Sequence, residues 1–157
     1  MKVLLIQPPV EDFYDTSIRT FPLGLASLAA SLESEGVCVE ILDCHSVDKT
    51  CQIPIPSAFR FMEPYYCQAN VSPFKLFTRY FHFGLMWDEI EAEIKARTPD
   101  IVGISANFTT YFDQALRVAQ IVKGVNPHCV TVLGGSHASS VPEKVLVHRE
   151  VDYIILG

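Results

Sequence analysis

Lys2-Val3-Leu4-Leu5-Ile6-Gln7-Pro8-Pro9 is the stretch that decides how the rest of the chain is read. Residues 3–6 form an unbroken apolar run, and Gln7-Pro8-Pro9 ends it. A strand with one face in water alternates apolar and polar residues. An unbroken run instead marks a strand buried on both faces, as in a parallel sheet covered by helices. The same prolines stop the run too early for a secretory signal.

Outward from this strand, helical and extended periods alternate. Between 22 and 35, Leu23, Leu25, Ala26, Leu28, Ala29 and Leu32 recur at helical spacing, with Pro22 suited to the first turn and Gly36 to the stop. Residues 37–42 read as a second strand ending at Asp43. Residues 85–96 read as a helix with Met86, Ile90 and Ile94 on one face, and 101–105 as a third strand after Pro99-Asp100. Residues 112–125 form a helix with Ala115, Leu116, Val118, Ala119 and Val122 inward. A fourth strand at 130–133, a short helix at 142–148 and a fifth strand at 151–156 complete the pattern. Strands alternating with helices predict an α/β fold. With right-handed crossovers it is a Rossmann-like (flavodoxin-like) five-stranded parallel sheet, order 2-1-3-4-5, with helices on both faces.

The stretch 44–84, after strand two, breaks the rhythm. It holds Pro54, Pro56, Pro64 and Pro73, and it is crowded with Phe59, Phe61, Tyr65, Tyr66, Phe74, Phe77, Tyr80, Phe81 and Phe83. Connections this long are uncommon and usually functional. The insert packs either as an apolar lid against a ligand or second domain, the favoured reading, or as an extension of the domain's own core.

The 157 residues suit one domain over 1–157. Apolar residues make up 49% and charged ones 19%, which excludes a disordered chain and leaves apolar surface for a ligand or partner. Twelve Lys and Arg against 18 Asp and Glu give a net charge of −6, and no basic face is visible for nucleic acid. No apolar stretch approaches the ~18–20 residues that span a bilayer, so no membrane partner is expected and a cytoplasmic location is. Cys38, Cys44, Cys51, Cys67 and Cys129 form no C-x-x-C pair and are odd in number. Buried or half-buried free thiols are expected, with Cys44, Cys51 and His45 as an alternative metal group.

Ligands of such sheets lie beyond the carboxyl ends of the strands, near the switch between strands one and three. After strand one, Gln7-Pro8-Pro9-Val10 leads into an acidic, aromatic loop to Thr20. Neither G-x-G-x-x-G nor a P-loop occurs there, nor a Ser/Thr/Gly phosphate loop. Gln7 and Ser105 stand where a phospho-acceptor receiver needs acidic residues. After strand two comes Asp43-Cys44-His45. After strand three, Ser105-Ala106-Asn107-Phe108-Thr109-Thr110 offers small and hydroxylic groups to a ligand, although Thr109 or Thr110 also suits a helix N-cap. After strand four, Gly134-Gly135-Ser136-His137-Ala138 removes side chains where another group must come close, or where the turn needs positive φ. His137 is either a ligand contact or a packed loop histidine.

Taken together, Lys2 to Pro9, Phe21-Pro22-Leu23-Gly24-Leu25-Ala26-Ser27-Leu28-Ala29, Pro99-Asp100-Ile101-Val102-Gly103-Ile104-Ser105 and Gly134 to Ala138 resemble one family. It is the amino-terminal cobalamin (B12)-binding domain of B12-dependent radical SAM enzymes. Asp152-Tyr153-Ile154-Ile155-Leu156-Gly157 is similar to its final strand. The resemblance implies that cobalamin is gripped at the strand ends, its nucleotide tail against Ser105 and Gly134-Gly135. The residues it points to for the cofactor are Pro8, Pro9, Tyr14, Arg19, Asp43, Ser105, Asn107, Thr109, Gly134, Gly135, His137 and Gly157. It assigns no catalytic residue and no metal ligand to this chain.

Asp43-Cys44-His45 resembles part of the D-x-H-x-x-G element by which some cobalamin proteins supply a histidine to cobalt. Asp48 stands where the glycine belongs, and the element follows the second strand rather than the first. A solvated loop histidine and base-off, His-off cobalamin are therefore expected. In this family cobalamin commonly relays a methyl group from S-adenosylmethionine, as a methyltransferase does, beside an iron–sulfur (4Fe–4S) cluster held by C-x-x-x-C-x-x-C. That motif does not occur here. The chain stops just after strand five, so the expectation is a domain cut from a larger protein whose carboxyl-terminal radical SAM domain is its partner. A free-standing corrinoid carrier and a flavodoxin-like small-molecule enzyme are the alternatives.

Overall fold

β1 (Lys2–Gln7) pairs in parallel with β3 (Cys38–Asp43) on one side and with β6 (Ile101–Ser105) on the other. The computed structural model describes residues 1–14, 21–62, 64 and 78–157. Beyond β6 come β7 (Val130–Gly134) and β8 (Tyr153–Ile155), both parallel, giving the sheet order β3-β1-β6-β7-β8. Counting only these five strands, that is the expected 2-1-3-4-5.

The faces of the sheet are dressed unequally. Leu4, Ile6, Val102, Ile104 and Leu133 point to one face and are at most 2% exposed. There they meet Ile90 and Ile94 of α2 (Trp87–Arg97) and Ala115, Val118, Ala119 and Val122 of α3 (Phe112–Val125). Val3 and Leu5 point to the other face and meet Leu25 of α1 (Leu23–Ser34). Leu25 is the one buried residue of that helix, while Leu23 and Leu28 are 76% and 50% exposed. The apolar stripe is present as the spacing predicts, but α1 packs over β3 and β1 and leaves β6 to β8 open on its side.

A second, antiparallel sheet was not expected. β2 (Val10–Asp12), β5 (Tyr80–Phe83) and β4 (Thr50–Ile53) pair in the order β2-β5-β4. Phe83 lies opposite both Val10 and Thr50. The insert is thus partly sheet, and it joins the loop after β1. Phe13, Phe59 and Tyr80 meet edge-on or tilted, with centroids 4.8–6.1 Å apart, and Tyr80 and Phe83 are buried. These aromatics extend the chain's own core, contrary to the favoured lid reading, whereas Phe61 is 72% exposed. Tyr65, Tyr66, Phe74, Phe77, Cys67 and Arg19 lie outside the described residues.

Two other expectations are corrected. Cys44 and Cys129 are buried, but Cys38 and Cys51 are exposed, because both sit on edge strands. α4 (Ser136–Ser140), which was not expected, precedes α5 (Pro142–Val145), a shortened form of the helix expected at 142–148. The first begins directly at Gly135, whose φ of 114° turns the chain from strand into helix. Gly84, also at φ 114°, returns the insert to the main sheet. A Cβ there would meet the Cys44 carbonyl oxygen at 2.1 Å, the oxygen that accepts a hydrogen bond from Leu85 N.

Candidate functional site

Two recesses open at the carboxyl ends of the parallel strands. The first is a cavity of about 300 Å³. Its base is Gln7-Pro8-Pro9-Val10 beyond β1 and Ser105-Ala106-Asn107-Phe108 beyond β6. Its walls are Asp12, Tyr14, His45, Phe83, Thr110 and Tyr111. The second is a slot of about 440 Å³ under α1, on the open face of the sheet. Leu5, Gly103, Val132, Gly134 and Ile155 form its floor, and Phe21, Leu25 and Leu28 form its side. Gln7, Ser105, Asn107 and Phe108 line both recesses and so join them.

The strand register explains the slot's shape. Ser105 lies opposite Gly134, and Gly134 opposite Ile155, so one row of the floor has a hydroxyl, a gap and an apolar side chain. A Cβ on Gly134 would find nothing nearer than Ile155 Cβ at 3.9 Å, so the space above it is the slot itself. Gly135 does something different. Its own Cβ would press on Asn107 Oδ1 at 2.5 Å, so its bareness is what lets Asn107 sit there. Asn107 Nδ2 in turn donates to Ser105 Oγ at 3.1 Å.

The cavity wall is polar on one side. Tyr111 OH donates to Asp12 Oδ2 at 2.5 Å, and Phe13 N donates to Asp12 Oδ1 at 2.6 Å. Burial, and then the hydrogen bond to Asp12, push the Tyr111 hydroxyl up, so it stays a proton donor. Burial, with the Asp43 charge, pushes the Cys44 thiol up to about 12 and keeps it neutral. Among the described residues, no group of three His, Cys, Asp or Glu is placed to hold a metal ion.

Of the residues singled out from sequence, Pro8, Pro9 and Tyr14 line the cavity, Gly134, Gly135 and Gly157 line the slot, and Ser105 and Asn107 line both. Asp43 lines neither; its Oδ1 accepts from His45 N at 3.1 Å. Thr109 and His137 also stand behind the walls. Thr109 Oγ1 lies 3.0 Å from His137 Nδ1, and the His137 ring packs on Phe112 with centroids 4.4 Å apart. His137 therefore takes the packed alternative, and Thr110 lines the cavity in place of Thr109.

His45 departs from the solvated reading. It is only 7% exposed and forms part of the cavity wall, because Cys44 N donates to Gln7 O and so carries the pairing of β3 past its end. Sequence reasoning missed Asp12, Tyr111 and the α1 residues as parts of the site, whereas Thr110 and Phe83 stood in stretches it had offered to a ligand. Val10-Glu11-Asp12 is only three residues long and shows no apolar alternation, so it carried no strand signal.

A family model, the B12 binding domain, matches residues 60–157. The chain belongs to the B12-binding domain family. Over 99% of its length the B12-binding domain is 34% identical to the cytidylyl-2-hydroxyethylphosphonate methyltransferase of Streptomyces wedmorensis, covering 26% of that protein. Over its full length it is 30% identical to an uncharacterized methyltransferase of Pyrococcus horikoshii, covering 27% of it. Over 45% of the chain it is 41% identical to the anaerobic magnesium-protoporphyrin IX monomethyl ester cyclase of Rubrivivax gelatinosus, covering 13% of that protein. The B12-binding domain thus spans about a quarter of the length of the two methyltransferases, 26% and 27%.

The two recesses fit cobalamin. A planar benzimidazole needs a flat apolar slot, and Gly134 leaves open space beside the apolar Leu5, Val132 and Ile155. A corrin ring needs a broad recess at the slot's mouth, and the cavity joined to it through Ser105 and Asn107 is that.

Proposed function

We propose that the chain is the cobalamin-binding part of a larger B12-dependent radical SAM protein. In this reading the nucleotide tail lies in the slot under α1 and the corrin lies over the cavity. The observation that carries it is the glycine-floored slot, continuous through Ser105 and Asn107 with a cavity at the strand ends. When bound, cobalamin supplies a cobalt centre able to relay a methyl group. The chain's own residues do the holding. Leu25, Leu28 and Phe21 shield the tail from water, Ser105 and Asn107 offer hydrogen bonds where tail and ring meet, and Pro8, Pro9 and Tyr14 form the surface beneath the ring. S-adenosylmethionine and a 4Fe–4S cluster belong to the rest of that protein, and the location is cytoplasmic. No helix among the described residues is long and apolar enough to cross a membrane.

Hydroxocobalamin titration of wild type and Gly134→Leu tests the placement. Gly134 has open space above it, so the variant folds. Its side chain fills the slot and weakens binding by about tenfold or more, the cost of displacing well-buried apolar contacts. An unchanged Kd would sink the slot assignment. Cobalamin is expected base-off and His-off, although His45 lines the cavity. The absorption spectrum of loaded His45→Ala should match wild type, and a changed cobalt ligand field would refute it.

A further inference from the structure

The Asp12–Tyr111 pair on the cavity wall is an acceptor-only surface. A phenol has one proton to donate, and Tyr111 has placed it on Asp12 Oδ2 at 2.5 Å. The other carboxylate oxygen already accepts from Phe13 N at 2.6 Å. Each carboxylate oxygen can accept more than one hydrogen bond, so what the pair still offers is lone pairs alone. Among the described residues lining the cavity there is no Lys or Arg to balance Asp12. The Arg117 guanidinium stacks 4.4 Å from the Trp87 ring and that of Arg79 lies 5.5 Å over the Phe81 ring, and neither residue lines the cavity.

A ligand group facing this wall must therefore donate hydrogen bonds and must not be negative. Among tetrapyrrole macrocycles some carry primary carboxamides at their periphery and others free carboxylates, and those two classes differ in just this respect. Resting on the cobalamin reading, we infer that the Asp12 carboxylate is a specificity determinant that admits an amidated corrin and rejects carboxylate-bearing tetrapyrroles. Amide N–H groups satisfy the free lone pairs of Asp12 and Tyr111. A carboxylate facing this wall meets the like charge of Asp12 in a partly desolvated recess.

Equilibrium dialysis of the full chain with two probes tests this. Dicyanocobinamide has the amidated ring without the nucleotide tail, so it reports on the cavity and not the slot. Dicyanocobyrinic acid has the same ring with carboxylates in place of the amides. Wild type is expected to prefer cobinamide by about tenfold or more at low salt, with the preference shrinking as salt is raised. Asp12→Asn narrows the preference by tightening cobyrinic acid binding, because the new amide can donate. Tyr111→Phe keeps the preference, since the carboxylate remains, and it serves if Asp12→Asn fails to fold. Equal binding of the two probes by wild type overturns the inference and leaves the cobalamin reading standing. So does an unchanged preference in Asp12→Asn, or a lost one in folded Tyr111→Phe. Failure of wild type to bind hydroxocobalamin at all overturns the reading itself, and this inference with it.

Discussion

Gly134 and Gly135 are neighbours with opposite duties. Gly134 keeps the slot floor bare, whereas Gly135 has φ 114° and sits against Ala106 and Asn107, leaving no room for a Cβ. Gly135→Ala combines left-handed backbone strain with contacts of 2.5 and 2.9 Å. It should destabilise the domain by at least ~1–3 kcal/mol in urea unfolding. The loss should exceed that of Gly134→Leu, which is costly for binding and mild for folding; the reverse ranking would show that the two roles are misassigned. The sequence displayed the pair plainly but could not divide the work between them, since both residues show only a missing side chain. His45 and His137 teach the same lesson in reverse. Each stands after a strand, and only the packing shows that His45 faces the cavity while His137 is tied to Thr109 and Phe112.

At the scale of elements, β2 joins the cavity to the core behind it. Val10 and Asp12 line the cavity, and Glu11 between them turns the other way. Its carboxylate lies 2.9 Å from His82 Nδ1 and accepts from Gln114 Nε2 at 3.2 Å, while His82 Nε2 lies 2.8 Å from Leu85 O. Burial pushes the Glu11 carboxyl up, but the hydrogen bonds from His82 and Gln114 and the charges of His82 and Arg117 together hold it below its ordinary value. A carboxyl lowered on folding contributes stability that is present above its unfolded value of 4.5 and is lost as pH falls through the folded one. Thermal melts should thus lose stability below about pH 4.5, and Glu11→Gln should flatten that part of the acid limb. An identical acid limb in the variant would remove Glu11 from this role. The small sheet was illegible beforehand because β2 and β5 are far apart in the chain and each is only three or four residues long.

Among the described residues the five-stranded sheet has one face packed and the other half open. The open half is where Phe21, Leu28 and Ile155 stay 86%, 50% and 60% exposed. A ligand that binds only the folded chain stabilises it by mass action, ~2.7 kcal/mol at one hundred times Kd. Hydroxocobalamin at that excess should raise the melting temperature of wild type by several degrees and that of Gly134→Leu by much less at the same concentration. An equal rise in both would place the tail somewhere other than the slot.

The number, order and parallel sense of the five strands were written in the sequence, because unbroken apolar runs and helical spacing are local and right-handed crossovers leave few ways to join them. So was the neighbourhood of the site, since strand ends follow from strands. What only the tertiary structure decided is which side chains meet there. Asp12 and Tyr111 lie 99 residues apart, β2 finds β5 across the chain, and the apolar stripe of α1 is left largely uncovered by where that helix lands. Periodicity records which face of an element is apolar; it carries no record of how much of that face a distant element will cover.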